Sequence, residues 1–80
     1  MTRKQAIREA EVKREIPEVE KKLAALINRY RDIENREAAN VAYQRKLLSK
    51  YRKEIQITTD HLANLKSEWR DFQDMRLSRA

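Results

Sequence analysis

Apolar residues recur along this chain at alternating intervals of three and four. In the first half they are Ile16, Val19, Leu23, Leu26, Tyr30 and Ile33. A polar gap runs from Glu34 to Asn40, and the spacing then resumes at Val41, Gln44, Leu48, Tyr51, Ile55, Thr58, Leu62, Leu65, Trp69 and Phe72. This interval places side chains on one stripe of an α-helix and is the a/d pattern of a coiled coil. The two stripes mirror each other about residue 37, which sets Ile33 against Val41, Leu26 against Leu48, Leu23 against Tyr51 and Val19 against Ile55. Antiparallel helices place a opposite d, and the reflection supplies that pairing. The pattern therefore predicts an all-α fold, an antiparallel helical hairpin with its turn in the one gap of the seam.

Two breaks set the expected boundaries. Pro17 is the only proline; it lacks an N–H, fixes its own φ and disfavours the α region at Ile16. It suits the first turn of a helix, with Glu18 and Glu20 complementing the positive end. Residues 2–14 then read as a short separate helix, or one kinked at Pro17, followed by a first arm at 17–34. In the polar gap, Asn35 can end a helix in the left-handed conformation and Asn40 can cap the next. A turn over residues 35–40 and a second arm over 41–76 complete a single domain spanning 1–80. Two other readings stay open. Passing from the first heptad frame to the second inserts four residues, a stutter that one long helix could absorb, and Ala38 and Ala39 favour helix. A three-helix bundle could break at Ile57-Thr58-Thr59-Asp60, although the seam keeps its register across that stretch, as a polar d position in a continuous helix would.

Composition sharpens the picture. Charged residues make up 40% of the chain and glycine is absent, the balance expected of long helices with a narrow apolar stripe. The large apolar side chains number 23 (six Ile, seven Leu, three Val, two Met, three Tyr, one Phe, one Trp), more than two helices can cover between them. Self-association, with a homodimer the simplest case, or docking on a larger protein is expected. In fold alone, two such hairpins packed together would resemble small plasmid RNA-regulating hairpin dimers, and that likeness carries no function. No stretch approaches the roughly 18 uninterrupted apolar residues of a membrane span. The first 16 residues hold five basic and three acidic side chains and no apolar core, unlike a secretory or transit leader. The cytoplasm is the expected location.

Catalytic chemistry finds little support. Without glycine there is no phosphate-cradling loop, and without cysteine no disulfide, thiol nucleophile or zinc–thiolate site. The one histidine, His61, lies beside the seam without companions at metal-ligand spacing. Glu9–Lys13, Glu18–Lys22, Asp32–Arg36 and Lys50–Glu54 are i,i+4 pairs of the kind that dress an exposed helix face. A non-enzymatic protein with no cofactor, no metal and no small-molecule substrate is expected.

Charge and off-seam apolar residues point to partners. Residues 36–57 carry six positive and two negative side chains, whereas 17–35 and 58–80 each balance four against four. The excess centres on Arg45, Lys46, Lys50, Arg52 and Lys53 at e, f and c positions, an outward face bordered by Tyr43. It could neutralise nucleic-acid phosphates, meet an acidic protein or simply be solvated; the absence of interleaved aromatics argues against single-strand binding. Gln44 and Thr58 are polar seam positions that can fix register. Off the seam, Ile27 and Leu47 fall opposite one another under the reflection and suggest a flank for further helices. Beyond Pro17 the reflection puts Leu62 on Val12 but Leu65, Trp69 and Phe72 on Glu9, Gln5 and Thr2. The expected protein interface is therefore Ile27, Leu47, Leu65, Trp69, Phe72, Met75 and Leu77, concentrated at the open end. The leading expectation is a helical subunit, adaptor or inhibitor of a larger assembly. The alternative is a small basic nucleic-acid-binding protein using the Arg45–Lys53 face.

Overall fold

The computed structural model describes residues 2–37 and 39–78. Two helices make the fold, α1 over Arg3–Asn35 and α2 over Val41–Ser78, packed along each other as a hairpin. The molecule measures 61 × 18 × 15 Å. Its long dimension matches the roughly 57 Å of a 38-residue helix at about 1.5 Å per residue, so α2 alone sets the length. Neither one long helix nor a three-helix bundle forms, and Thr58 lies buried within a continuous α2.

The N-terminal segment does not make a helix of its own. α1 runs unbroken from Arg3 through Pro17 to Asn35, so residues 3–14 continue into the first arm rather than forming a separate helix. Pro17 is exposed, so its ring and the undonated Lys13 carbonyl face water rather than the other arm. An interior proline costs a helix about 3 kcal/mol, and packing on both sides of it offsets that cost. Val12, Ile16 and Val19 all belong to the core or lie against it. The helix also starts firmly. Thr2 Oγ1 accepts from the Gln5 N–H at 3.2 Å while Gln5 Oε1 accepts from the Thr2 N–H at 2.9 Å, a reciprocal capping box.

The turn occupies residues 36–40, as the polar gap suggests, but closes by a different device. No described residue has positive φ, so Asn35 does not end α1 in the left-handed conformation. Instead Arg36 is extended, at φ −79° and ψ 139°, and its N–H reaches the Ile33 carbonyl at 3.4 Å. Asn40 caps α2 as expected, its Oδ1 accepting from the Tyr43 N–H at 3.1 Å. Gln44 then ties the arms together, donating from Nε2 to the carbonyls of Ile33 and Arg36. The carbonyl of Ile33 in the last turn of α1 and that of Arg36 just beyond it are thereby held by a side chain of the other arm. Ala38 lies outside the described residues.

Gln44 also reveals the register. Reflection about residue 37 puts Ile33 on Val41, Tyr30 on Gln44, Arg8 on Lys66 and Val12 on Leu62. In the structure Ile33 meets Gln44, Tyr30 meets Arg52, Arg8 meets Glu68, and Val12 packs with Leu65 and Phe72. Each of these contacts lies two or more residues further along α2 than the reflection places it, so α2 is displaced along α1. A heptad pattern falls on itself after each slide of seven residues, so periodicity alone does not fix how far the arms are offset. Burial decides it. The slide brings Leu65 and Phe72 from polar partners onto Val12.

The resulting core lies at the open end. Val12 is 0% exposed, Leu65 2% and Phe72 7%, with Ile16, Val19, Trp69 and Met75 packed around them. Leu62, Thr58 and Glu9 are also buried. Nearer the turn, Leu23, Leu26, Tyr30, Ile33, Leu48, Tyr51 and Ile55 are all only partly buried.

Candidate interaction surfaces

Three regions of the hairpin present chemistry to a partner. The first is the open end, where the apolar core is framed by charges that cross between the arms. Arg8 donates from Nη2 to Glu68 Oε2 at 2.8 Å and from Nε to Oε1 at 3.3 Å, a two-pronged guanidinium–carboxylate pair. Its Nη1 reaches Glu11 at 3.3 Å. These hydrogen bonds, Glu68 first and then Glu11, raise the Arg8 guanidinium pKa above its ordinary value. Across the pair, Arg76 Nη2 lies 2.6 Å from Glu9 Oε1 and donates to Oε2 at 2.8 Å. The Glu9 side chain is only 6% exposed, so Arg76 supplies the countercharge that makes this buried carboxylate tolerable. Glu9 takes an a position of the seam, where an apolar residue is the rule.

Leu65 and Phe72, expected at an interface, are buried in the intramolecular core. Trp69 and Met75 are partly buried against that core, and Leu77 is 74% exposed. The N-terminal segment covers more apolar surface than the reflection allows, because the slid register and the cross-arm pairs bring it over Leu65 and Phe72.

The second region is the pair of flanks nearer the turn. Ile27 and Leu47 are both partly buried, but they do not share a flank. Ile27 is an e residue and Leu47 a g residue, and antiparallel arms set e beside e and g beside g. Leu47 lies in a groove with Arg29, Asp32, Ile33, Arg36 and Tyr51. The opposite flank carries Tyr30 and Arg52. Arg52 Nη2 donates to the Tyr30 hydroxyl oxygen at 2.9 Å, with its guanidinium carbon 6.0 Å from the ring centre. That hydrogen bond raises the Arg52 pKa above its ordinary value.

The third region is the outward face of α2. Arg45, Lys46, Lys50, Arg52 and Lys53 are all exposed. Arg52 is set apart from the other four by its engagement with Tyr30 across the arms. The remaining four join none of the salt bridges among the described residues, which are Arg8–Glu11, Arg8–Glu68 and Arg76–Glu9. The four i,i+4 pairs read from the sequence do not close at salt-bridge distance, Glu9 having turned to Arg76 instead of Lys13. Tyr43 and Ile57 stand out on α2 at 64% and 69% exposure. His61 is exposed, and the described residues hold no group of three or more His, Cys, Asp or Glu side chains placed to bind a metal. No helix among them is long and apolar enough to cross a membrane.

The fold and these surfaces define an all-α helical hairpin with a closed open end and a half-covered seam. No protein-family model, curated protein or solved structure matches the chain.

Sequence reasoning missed Arg8, Glu9, Glu68 and Arg76, whose pairing depends on the register between the arms. Only the placement of Glu9 on the seam hinted that a countercharge had to come from elsewhere.

Proposed function

We propose that this chain is a non-enzymatic interaction protein, a helical subunit, adaptor or inhibitor that docks on a second copy of itself or on a larger protein. One observation carries the reading. The apolar seam from Leu23 to Ile33 and from Leu47 to Ile55 stays partly open to water along both arms, and no third helix among the described residues covers it. A helix whose apolar stripe is wider than its partner can cover gains by packing against further helices. Ile27 on one flank and Leu47 on the other widen the stripe in both directions.

Light scattering over a concentration series, paired with pull-downs from the native host, tests this. Wild type should self-associate or retain a protein, and the Ile27→Lys/Leu47→Lys variant should lose that association while circular dichroism shows its helices intact. A wild-type chain that stays monomeric and retains no protein would contradict the reading.

A second reading has its own observation. Arg45, Lys46, Lys50 and Lys53 are exposed cations outside the salt bridges of the described residues, and such a face can take up nucleic-acid phosphates with release of counterions. Capture that disappears on nuclease treatment, with affinity falling steeply as salt rises, would favour it. Salt-insensitive binding, or none at low salt, would remove it.

A further inference from the structure

One flank of the open end holds a groove on the outer side of Ile16 and Trp69, which pack inward against the core. It is an open depression of about 570 Å³ bordered by Lys13, Ile16, Lys66, Trp69, Arg70 and Gln73. A smaller hollow of about 250 Å³ shares Lys13 and Trp69 with it and continues past Ala6 and Ala10. Together they run from Ala6 to Ile16 along α1, roughly 15 Å of helix axis. That is an elongated trough along the hairpin rather than a compact cavity for a small ligand. The larger part is mainly apolar, lined by the partly buried Trp69 and Ile16, and the smaller part past Ala6 and Ala10 is of mixed polarity.

The rim is cationic. Lys66 and Arg70 stand one helical turn apart on α2, and Lys13 faces them from α1. All three are exposed and outside the salt bridges of the described residues. The one carboxylate lining the trough, Glu9, is already held by Arg76. Cations one turn apart beside an apolar floor match carboxylates one turn apart on either side of an apolar stripe.

We propose that this trough is a docking site for an acidic amphipathic helix of another protein. The helix packs an apolar side chain on Trp69 and Ile16 and sets its flanking carboxylates against Lys13, Lys66 and Arg70. A helix in a groove is a recurrent mode of recognition, read through anchors at i, i+3 or i+4. A second copy of this chain is a poor occupant. Its exposed Val41, Tyr43 and Ile57 belong to the stretch that carries the excess of lysine and arginine, so docking them here would set cation against cation. The proposal rests on reading the chain as a docking protein, but it does not use the turn-proximal flanks.

Trp69 is the only tryptophan and reports on the trough directly. The full chain is titrated with a synthetic helical peptide of about five turns, leucine on one face and glutamate along its edges, and Trp69 emission is followed. Emission should shift to the blue, acrylamide quenching should fall, and binding should weaken as salt rises. Replacing Lys13, Lys66 and Arg70 together with Gln, exposed changes that leave the core alone, should weaken binding by a factor of about ten, the scale of three exposed ion pairs. Four results would overturn the site: no change in emission, equal binding by the same peptide with lysine for glutamate, unchanged affinity in the triple variant, or displacement of the peptide by a single-stranded oligonucleotide. Light scattering of the same samples reads self-association separately. Loss of the trough with an intact oligomer therefore overturns this site and leaves the docking function standing.

Discussion

The open end and the turn-proximal half of this hairpin share one seam spacing, and they differ in how far that seam is closed. At the open end a small residue, Val12, meets two large ones, Leu65 and Phe72, and is fully buried. Long side chains bridge the arms there, Arg8 to Glu68 and Arg76 to Glu9, and tie the two helices together beside the core. Toward the turn, large residues face large ones, with Leu23, Leu26 and Tyr30 on one arm and Leu48, Tyr51 and Ile55 on the other, and every one keeps contact with water. One side-chain pair, Arg52 with Tyr30, crosses that stretch, besides the Gln44 clasp at the turn. Period decides which residues face the other arm. Size matching and the length of the flanking side chains decide how completely they are covered.

The largest difference should come from truncating the two seams. Phe72→Ala should cost about 3–5 kcal/mol and Leu65→Ala about 2–5, because both side chains are buried and leave a cavity. Leu26→Ala and Leu48→Ala should each cost about 1–2 kcal/mol, since partly buried side chains lose less contact and water can enter the space. Urea unfolding of the four variants checks this, and equal losses at both ends would erase the distinction. Pro17 offers the opposite sign. Pro17→Ala restores a helical hydrogen bond at an exposed position and should raise stability by up to about 3 kcal/mol, seen as a higher melting temperature.

Smaller effects sharpen the view of the open end. Arg76→Ala strands the buried Glu9 carboxylate and should cost about 2 kcal/mol, below the usual range for a broken buried pair because Arg76 itself is largely exposed. Adding Glu9→Leu should recover most of that loss, since an apolar residue suits an a position. A double-mutant cycle by thermal melting reads this, and a further loss in the double variant would show that Glu9 is needed for more than its pairing. At the turn, Gln44→Ala removes two hydrogen bonds to the carbonyls of Ile33 and Arg36 and should cost about 1 kcal/mol, with the loss confined to residues beside the turn.

Much of this architecture was written in the spacing of apolar residues. The two arms, the turn between Asn35 and Val41, the Asn40 cap and the continuity of α2 across Thr58 all follow from local pattern. Three features did not. Pro17 reads locally as a helix start, yet packing of Val12, Ile16 and Val19 on the other arm carries α1 through it. The register was ambiguous because a heptad seam superposes on itself after a slide of seven residues. With the register misplaced, Leu65 and Phe72 looked uncovered at the open end, whereas the exposed part of the seam lies nearer the turn. The pairs Arg8–Glu68 and Glu9–Arg76 join residues far apart in sequence, and no local signal announces them.

Native-state hydrogen exchange on the dilute chain tests the central contrast most directly, because it reads how readily each part of the helices opens. Amides around Val12 to Val19 in α1 and Thr58 to Phe72 in α2 should exchange slowest, through openings close to global unfolding. Amides from Leu23 to Ile33 and from Leu47 to Ile55 should exchange faster, and they should gain protection as protein concentration rises or when a binding partner is added. Equal protection along both arms in the dilute chain, or slower exchange beside the turn than at the open end, would contradict a half-covered seam.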